Sequence, residues 1–315
     1  MRDHGGPADG TPRPYAGGAA LLAPGETWIL LDDEPGRSLG GALAWADQQS
    51  QGGDDTLHIL ADQDTGLLAR RAAAFAPAPT VWRADGRELE PAVATPRPAA
   101  PDLPVAARAL IPLVEAAGAE PVEEHGVLTG EVAGLEVCRA VPADPPGGMR
   151  LDIGIGPHDR EAFRLVHGDD LADDALVEAL AEVVRTVGVH RRPGAPAHPL
   201  NRIARERALR HELIHRPQVV GLAELAAAPT PVPRTNVKDA MPCVARGRTP
   251  DGDEVVVVCS AGVDLDAVPF AADAREALGG PATPLLLAVP AADAHPVTRR
   301  LAARLVHPAT VIPVS

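Results

Sequence analysis

Aromatic rings are nearly missing from this chain. Among 315 residues, Phe, Tyr and Trp occur only at Tyr15, Trp28, Trp45, Phe75, Trp82, Phe163 and Phe270. A core so short of rings must be built from Ala, Val, Leu and Ile, and platforms for stacked bases are all but excluded. Lysine is scarcer still: Lys238 stands alone and every other basic position is Arg. With its abundant Ala, Gly and Pro, this is the usage expected of a GC-rich bacterial genome, and lysine-dependent chemistry has one candidate. The three cysteines, Cys138, Cys243 and Cys259, are odd in number and lack CxxC spacing. That excludes a disulfide framework and a cysteine-only zinc site, and leaves reduced thiols in a cytoplasmic protein as the expectation. No apolar run approaches the roughly 20 residues that a membrane-spanning helix needs.

Positive charge is also in deficit, with Lys+Arg 29 against Asp+Glu 43 and a net charge of −14. General nucleic-acid binding is therefore not expected, although a local basic patch remains open. What is present is a globular composition, 45% hydrophobic and 23% charged, at a length of about two domains.

The pattern predicts an α/β fold with two βαβαβ, Rossmann-like half-folds at the ends and an α+β segment between them. Residues 1–22, rich in Gly, Pro and Asp, read as a disordered tail. In the first half-fold, 23–89, strands are expected at Thr27–Leu31, Thr56–Ala61 and from Pro79. Helices are expected at Ser38–Gln49 and Thr65–Phe75. Five prolines make 90–104 a linker. The central segment, 105–228, should hold a helix over Val105–Ala117 and strands within Gly126–Val141 that turn at Ala133-Gly134. A strand over Met149–Ile155 should follow, then a helix over Asp170–Val187 ended by Gly188, and a basic helix over Leu200–His215. After a loop-rich connector, 229–253, the order repeats in 254–315: strands Glu254–Cys259, Pro284–Val289 and Thr310–Val314, helices Asp266–Leu278 and His295–Leu305. Each second helix carries an Arg pair, Arg70-Arg71 and Arg299-Arg300.

The sharpest motif is His211-Glu212-Leu213-Ile214-His215. On a helix, positions i and i+4 share a face, so two imidazoles can grip one Zn²⁺ while the intervening Glu activates bound water. These five residues resemble the HExxH signature of zinc metallopeptidases. The resemblance implies His211 and His215 as metal ligands and Glu212 as general base. Arg216-Pro217 follows where that family's helix continues, and Glu224 comes only nine positions after His215. For metal to bind, the histidine face must turn toward a third ligand, with Glu224 or a strand-tip Asp the nearest guesses. Because Arg207 shares their side and would repel a dication unless paired, the expectation is that the histidines are at least partly exposed and bind no stoichiometric zinc.

Three further features compete. Between His190 and Arg216 seven Arg stand against two Glu, while residues 101–189 hold six Arg against 17 acids. Arg202, Arg205 and Arg210 are therefore candidates for a small anionic ligand, unless the basic helix simply neutralises its acidic neighbour. Asp32, Asp33, Asp264 and Asp266 sit at expected carboxyl ends of strands, where Mg²⁺ could be held, or where Asp merely caps the next helix. Gly154-Ile155-Gly156-Pro157-His158-Asp159 half resembles a dinucleotide fingerprint, and Cys259-Ser260-Ala261-Gly262 a nucleophile turn, but both depart from pattern. The functional expectation is a ligand-binding or regulatory protein without catalysis. The alternatives are a zinc-dependent hydrolase through His211, Glu212 and His215, and a divalent-metal phosphoesterase using the strand-tip aspartates.

Overall fold

A computed structural model describes residues 7, 9–50, 55–86, 88–143, 148–168, 171–192, 194–233 and 240–315. The expected helix start at Asp170 and the single lysine, Lys238, fall outside these residues. The fold is mixed α/β, and the chain divides into two compact units: residues 1–97 with 255–258 and 262–315, and residues 98–254 with 259–261.

The first unit opens with β1 (Thr11–Tyr15), β2 (Gly18–Ala23) and β3 (Glu26–Leu31), paired antiparallel in sequence. This corrects the expectation of a tail to residue 22. Leu21 is buried, and β2 gains a full ladder with β3, so a Gly/Ala-rich segment with little surface to bury is ordered by main-chain pairing. From β3 the sheet turns parallel through β4 (Thr56–Ala61) and β5 (Thr80–Asp85), then ends on the antiparallel edge β6 (Glu88–Pro91). Helices α1 (Leu39–Gln49) and α2 (Thr65–Ala72) supply the crossovers. Ile29, Leu31, Leu39, Leu43, Ile59 and Leu68 form the core with almost no exposure.

The second unit begins with two short helices, α3 (Val105–Arg108) and α4 (Ile111–Ala116), where one was expected; Pro112 starts the second. An antiparallel meander follows: β7 (Glu120–Glu124), β8 (Val127–Val132), β9 (Leu135–Pro142) and β10 (Met149–Ile153). The turn at Ala133-Gly134 is present, with both residues at positive φ. A Cβ on Gly134 would lie 2.3 Å from the Arg207 carbonyl carbon, so this turn admits the close approach of a later helix.

Helix α5 (Pro157–His167) occupies the expected fingerprint region and had no counterpart in the sequence reading. Helix α6 (Asp173–Arg191) does not stop at Gly188. Arg191 holds its last turn by donating to the carbonyls of Ala133, Leu200 and Ile203 at 2.7–3.0 Å. The basic helix is shorter than expected. A 3₁₀ turn covers Pro199–Arg202, Ala204 takes a left-handed backbone (φ 50°), and only then does α7 (Arg205–His215) start. A hairpin of β11 (Glu224–Ala228) and β12 (Cys243–Arg248) completes the unit; Glu224 lies in a strand, not in a returning helix. Leu128, Leu135, Val137, Ile153, Leu180 and Val187 make its core.

The chain then returns to the first unit through residues 255–258 of β13 (Glu254–Cys259), and continues there with α8 (Ala267–Leu278), β14 (Leu285–Pro290), α9 (Pro296–Ala303) and β15 (Thr310–Val314). Strands β14 and β15 pair parallel. Helices α1 and α8 meet so closely that a Cβ on Gly40 would fall 2.1 Å from the Leu265 carbonyl oxygen. That crossing, and not its own polarity pattern, explains why α1 is buried almost all round.

Candidate metal centre

Helix α7 is among the most polar in the chain by composition, yet one face of it is buried. Glu206, Arg207, Leu209, Arg210 and Leu213 are all removed from solvent. Leu209 and Leu213 are the apolar members of that face, and its charged members dock by complementarity. Arg207 pairs with Glu131 and, at 2.6 Å, with Glu124; Arg210 pairs with Glu124 and lies 3.7 Å from Glu131 Oε2. The acids come from β7 and β8, in the negative stretch that precedes the basic island. Arg210 is therefore no anion-binding residue: it is 1% exposed inside an ion-pair network. Arg202 and Arg205 are both exposed, so the three arginines do not converge on a ligand.

The same docking brings a third group to the histidines. Glu120 opens β7, and with Glu124 it stands on the face of that strand turned toward α7, as residues i and i+4 of a strand must. His211 Nδ1 lies 2.9 Å from Glu120 Oε2, and His215 Nε2 lies 3.6 Å from Glu120 Oε1. The imidazoles sit 4.3 Å apart, centre to centre. Donor atoms of Glu120, His211 and His215 all fall within 4.8 Å of one another, and no other group of three such residues gathers this way among the described residues. The expected third ligands are not used: Glu224 is exposed and 3.5 Å from Arg248.

The orientation of His215 is fixed from behind. Its Nδ1 is 2.9 Å from the His211 carbonyl oxygen, so Nδ1–H donates there and Nε2 is the nitrogen turned toward Glu120. A backbone carbonyl holding the far nitrogen is the usual means of orienting a metal-bound imidazole. Burial pushes the Glu120 carboxyl up, but the hydrogen bond from His211 and the two imidazoles more than offset this and bring it below its ordinary range. Exposures of 46% for Glu120, 25% for His211 and 55% for His215 leave the site open to solvent on one side. Arg207, which would repel a cation if free, is neutralised by its carboxylates. Glu212 does not join the cluster; it pairs with Arg216 at 3.0 Å along the helix.

The strand-tip aspartates do not assemble. Asp32 and Asp33 are exposed. Asp266 is buried, with one oxygen 3.1 Å from Gly40 N and the other 2.9 Å from Arg71 Nη1. Asp264 accepts from Asp266 N at 3.0 Å. Burial holds both carboxyls above the ordinary range. Asp266 thus joins the start of α1 to α2 and α8 and has no oxygen left for Mg²⁺. Gly154 and Gly156 lead into α5 at positive φ but are followed by Pro157 in the first turn. Among the described residues no helix is long and apolar enough to cross a membrane. Comparison with family models, curated proteins and solved structures finds no match for this chain.

Proposed function

We propose that this is a ligand-binding or regulatory protein whose second unit carries a divalent transition-metal site made of Glu120, His211 and His215. The observation that supports it is the convergence of a carboxylate from β7 on two helical imidazoles, one already oriented by a backbone carbonyl. Two nitrogens and one carboxylate oxygen suit Zn²⁺ and its late first-row neighbours; Mg²⁺ and Ca²⁺ prefer oxygen alone. Three protein ligands leave a coordination position for water or a ligand. A bound ion would clamp the end of α7 to β7, which makes the site a stabiliser of that docking. Hydrolysis is the weaker reading, because Glu212, the base it requires, is engaged by Arg216. Elemental analysis after dialysis against trace zinc tests the site. The expected result is about one zinc per chain, lost on His211→Ala. Zinc absent from the wild type, or retained equally by the variant, overturns it.

We also infer that the two βαβαβ segments of the first unit are counterparts. One offset of 230 residues relates Phe75 to Leu305 and Thr80 to Thr310. Phe75 and Leu305 form an antiparallel bridge with each other. Around it the main-chain bonds are reciprocal: Ala76 N donates to Arg304 O and Val306 N to Ala74 O, both at 2.9 Å. Exchanging the two segments turns one bond into the other, as a local two-fold axis does. The Arg pairs are out of step by one position, since Arg70 corresponds to Arg300. If the sites are equivalent, Phe75→Leu combined with Leu305→Phe keeps stability within about 1 kcal/mol, while Leu305→Phe alone costs about 1–3 kcal/mol through overpacking. Equal losses in both variants, read by urea melts, would refute the equivalence.

A further inference from the structure

The segment Gly154-Ile155-Gly156-Pro157-His158-Asp159 forms one wall of a cleft that neither the metal centre nor the ion-pair network uses. The cleft lies in the second unit, between the end of β10, the first turns of α5, helix α6 and the 3₁₀ turn at Pro199–Arg202, and has a volume of about 260 Å³. Ile153 and Val187 make its floor, at 0% and 2% exposure, and Ile155, Phe163, Val183 and Leu200 its half-buried sides. The polar side chains that line it, Asp159, Glu182 and Thr186, are all exposed and mark its mouth. Thr186 is committed to the Glu182 carbonyl at 2.9 Å, and the Glu182 carboxylate accepts from Arg185 on the same helix. Asp159 has no ion pair among the described residues, and none of those that line the cleft is basic.

Helix α5 is the wall held most loosely. None of its residues is buried, and Leu165 and Val166 are 81% and 76% exposed. Arg160 ties it to Glu136 at 2.6 Å. Gly154 and Gly156 enter it at φ 139° and 85°, backbone that glycine adopts freely. A helix so tied and so entered can shift to admit an occupant.

We propose that this cleft binds a small apolar amine, with its hydrocarbon part against Ile153, Phe163 and Val187 and its ammonium group at Asp159. The volume is below the roughly 300–1,000 Å³ usual for drug-sized ligands, so the occupant is a single ring or a short branched chain. Charge selects the head group. An acidic mouth repels phosphate and carboxylate, and residues 101–189 hold 17 acids against six Arg, so the surrounding field also favours a cation. A dinucleotide is not the ligand, because Asp159 stands where its fingerprint places a third glycine for close helix–strand packing. Covering the apolar floor supplies the affinity, and the carboxylate supplies the orientation. The cleft shares no residue with Glu120, His211 and His215, so it does not depend on the metal reading.

Phenethylamine, its neutral isostere 2-phenylethanol and the anion phenylacetate, each titrated into the full chain with isotope-labelled Ile, Leu and Val methyls, test this by NMR. Phenethylamine is expected to shift the Ile153 and Val187 methyls saturably and to bind more tightly than 2-phenylethanol, with phenylacetate weakest. Asp159→Asn should weaken the amine about two- to fivefold and leave the alcohol unchanged. Val183→Phe, which fills the cleft, should remove both. Methyls that stay still at millimolar amine, phenylacetate binding as tightly as the amine, or equal weakening of amine and alcohol in Asp159→Asn overturns the proposal. So does a folded Val183→Phe that binds as before. If that variant does not fold, nuclear Overhauser contacts from the ligand ring to the Ile153 and Val187 methyls of the wild type decide, and their absence overturns the site.

Discussion

Replacing Glu120 by Gln separates a metal ligand from a mere surface ion pair. Without metal, the lost partner is a half-exposed carboxylate facing imidazoles that are 25% and 55% exposed. Such contacts are worth about 0–1 kcal/mol, so the metal-free melting temperature should hardly move. With zinc the two readings part. At free zinc about 100-fold above its dissociation constant, binding to the folded state alone adds about 2.7 kcal/mol. At about 2–4 °C per kcal/mol for a unit of this size, the wild type should gain about 5–11 °C. Removing a charged ligand should weaken binding on the order of 100-fold, at least as much as the loss of an outer partner. The variant at the same zinc concentration then gains only about 0.4 kcal/mol, or about 1–2 °C. Thermal melts by circular dichroism at two zinc concentrations measure this. Equal shifts in both proteins, or none in the wild type, would refute the ligand assignment. A metal-free variant that melts many degrees lower would show that Glu120 acts in docking α7.

Asp273 accepts from Arg70 and Arg97 and lies 3.5 Å from Arg71, with its side chain 0% exposed. Asp273→Asn should cost about 3–5 kcal/mol in urea melts, because buried arginines lose their counter-charge. Glu182→Ala, at an exposed pair with Arg185, should cost under about 1 kcal/mol, and a comparable loss at both sites would contradict the argument. Burial pushes the Glu136 carboxyl up, but Arg139 and Arg160 more than offset this, so it titrates below its unfolded value. Its stabilisation is therefore full above the unfolded pKa of about 4.3 and is lost as pH falls through the lower folded value. Glu136→Gln should flatten the acid side of a stability–pH profile, and an unchanged slope would exclude this contribution.

Short-range patterns carried the parts of this protein that depend on local chain geometry. Apolar runs such as Trp28–Leu31, Leu57–Leu60 and the valines of β13 announced buried strands, because a sheet covered on both faces needs no polar alternation. Ala133-Gly134 announced a hairpin through its glycine, which tolerates positive φ, whereas the positive φ of Ala133 is imposed by the folded turn. Spacing alone placed His211 and His215 on one helix face. Tertiary structure decided everything that needed a partner from elsewhere. Glu120 lies 91 residues before His211, and its only sequence signal was the Glu120/Glu124 alternation opposite a basic helix. The arginines of that helix could be counted in advance, but not which would be buried. Arg210 is buried because Glu124 and Glu131 meet it there, while Arg202 stays in solvent. Asp266 has the composition of a metal ligand and the position of a cap, and only the approach of Arg71 and Gly40 commits both its oxygens. Helix α6 passes Gly188 because Arg191 finds three carbonyls in other segments. Local preference is worth tenths of a kcal/mol to about one per residue, while buried charge and main-chain pairing are worth several; where the two conflicted, the long-range partner won.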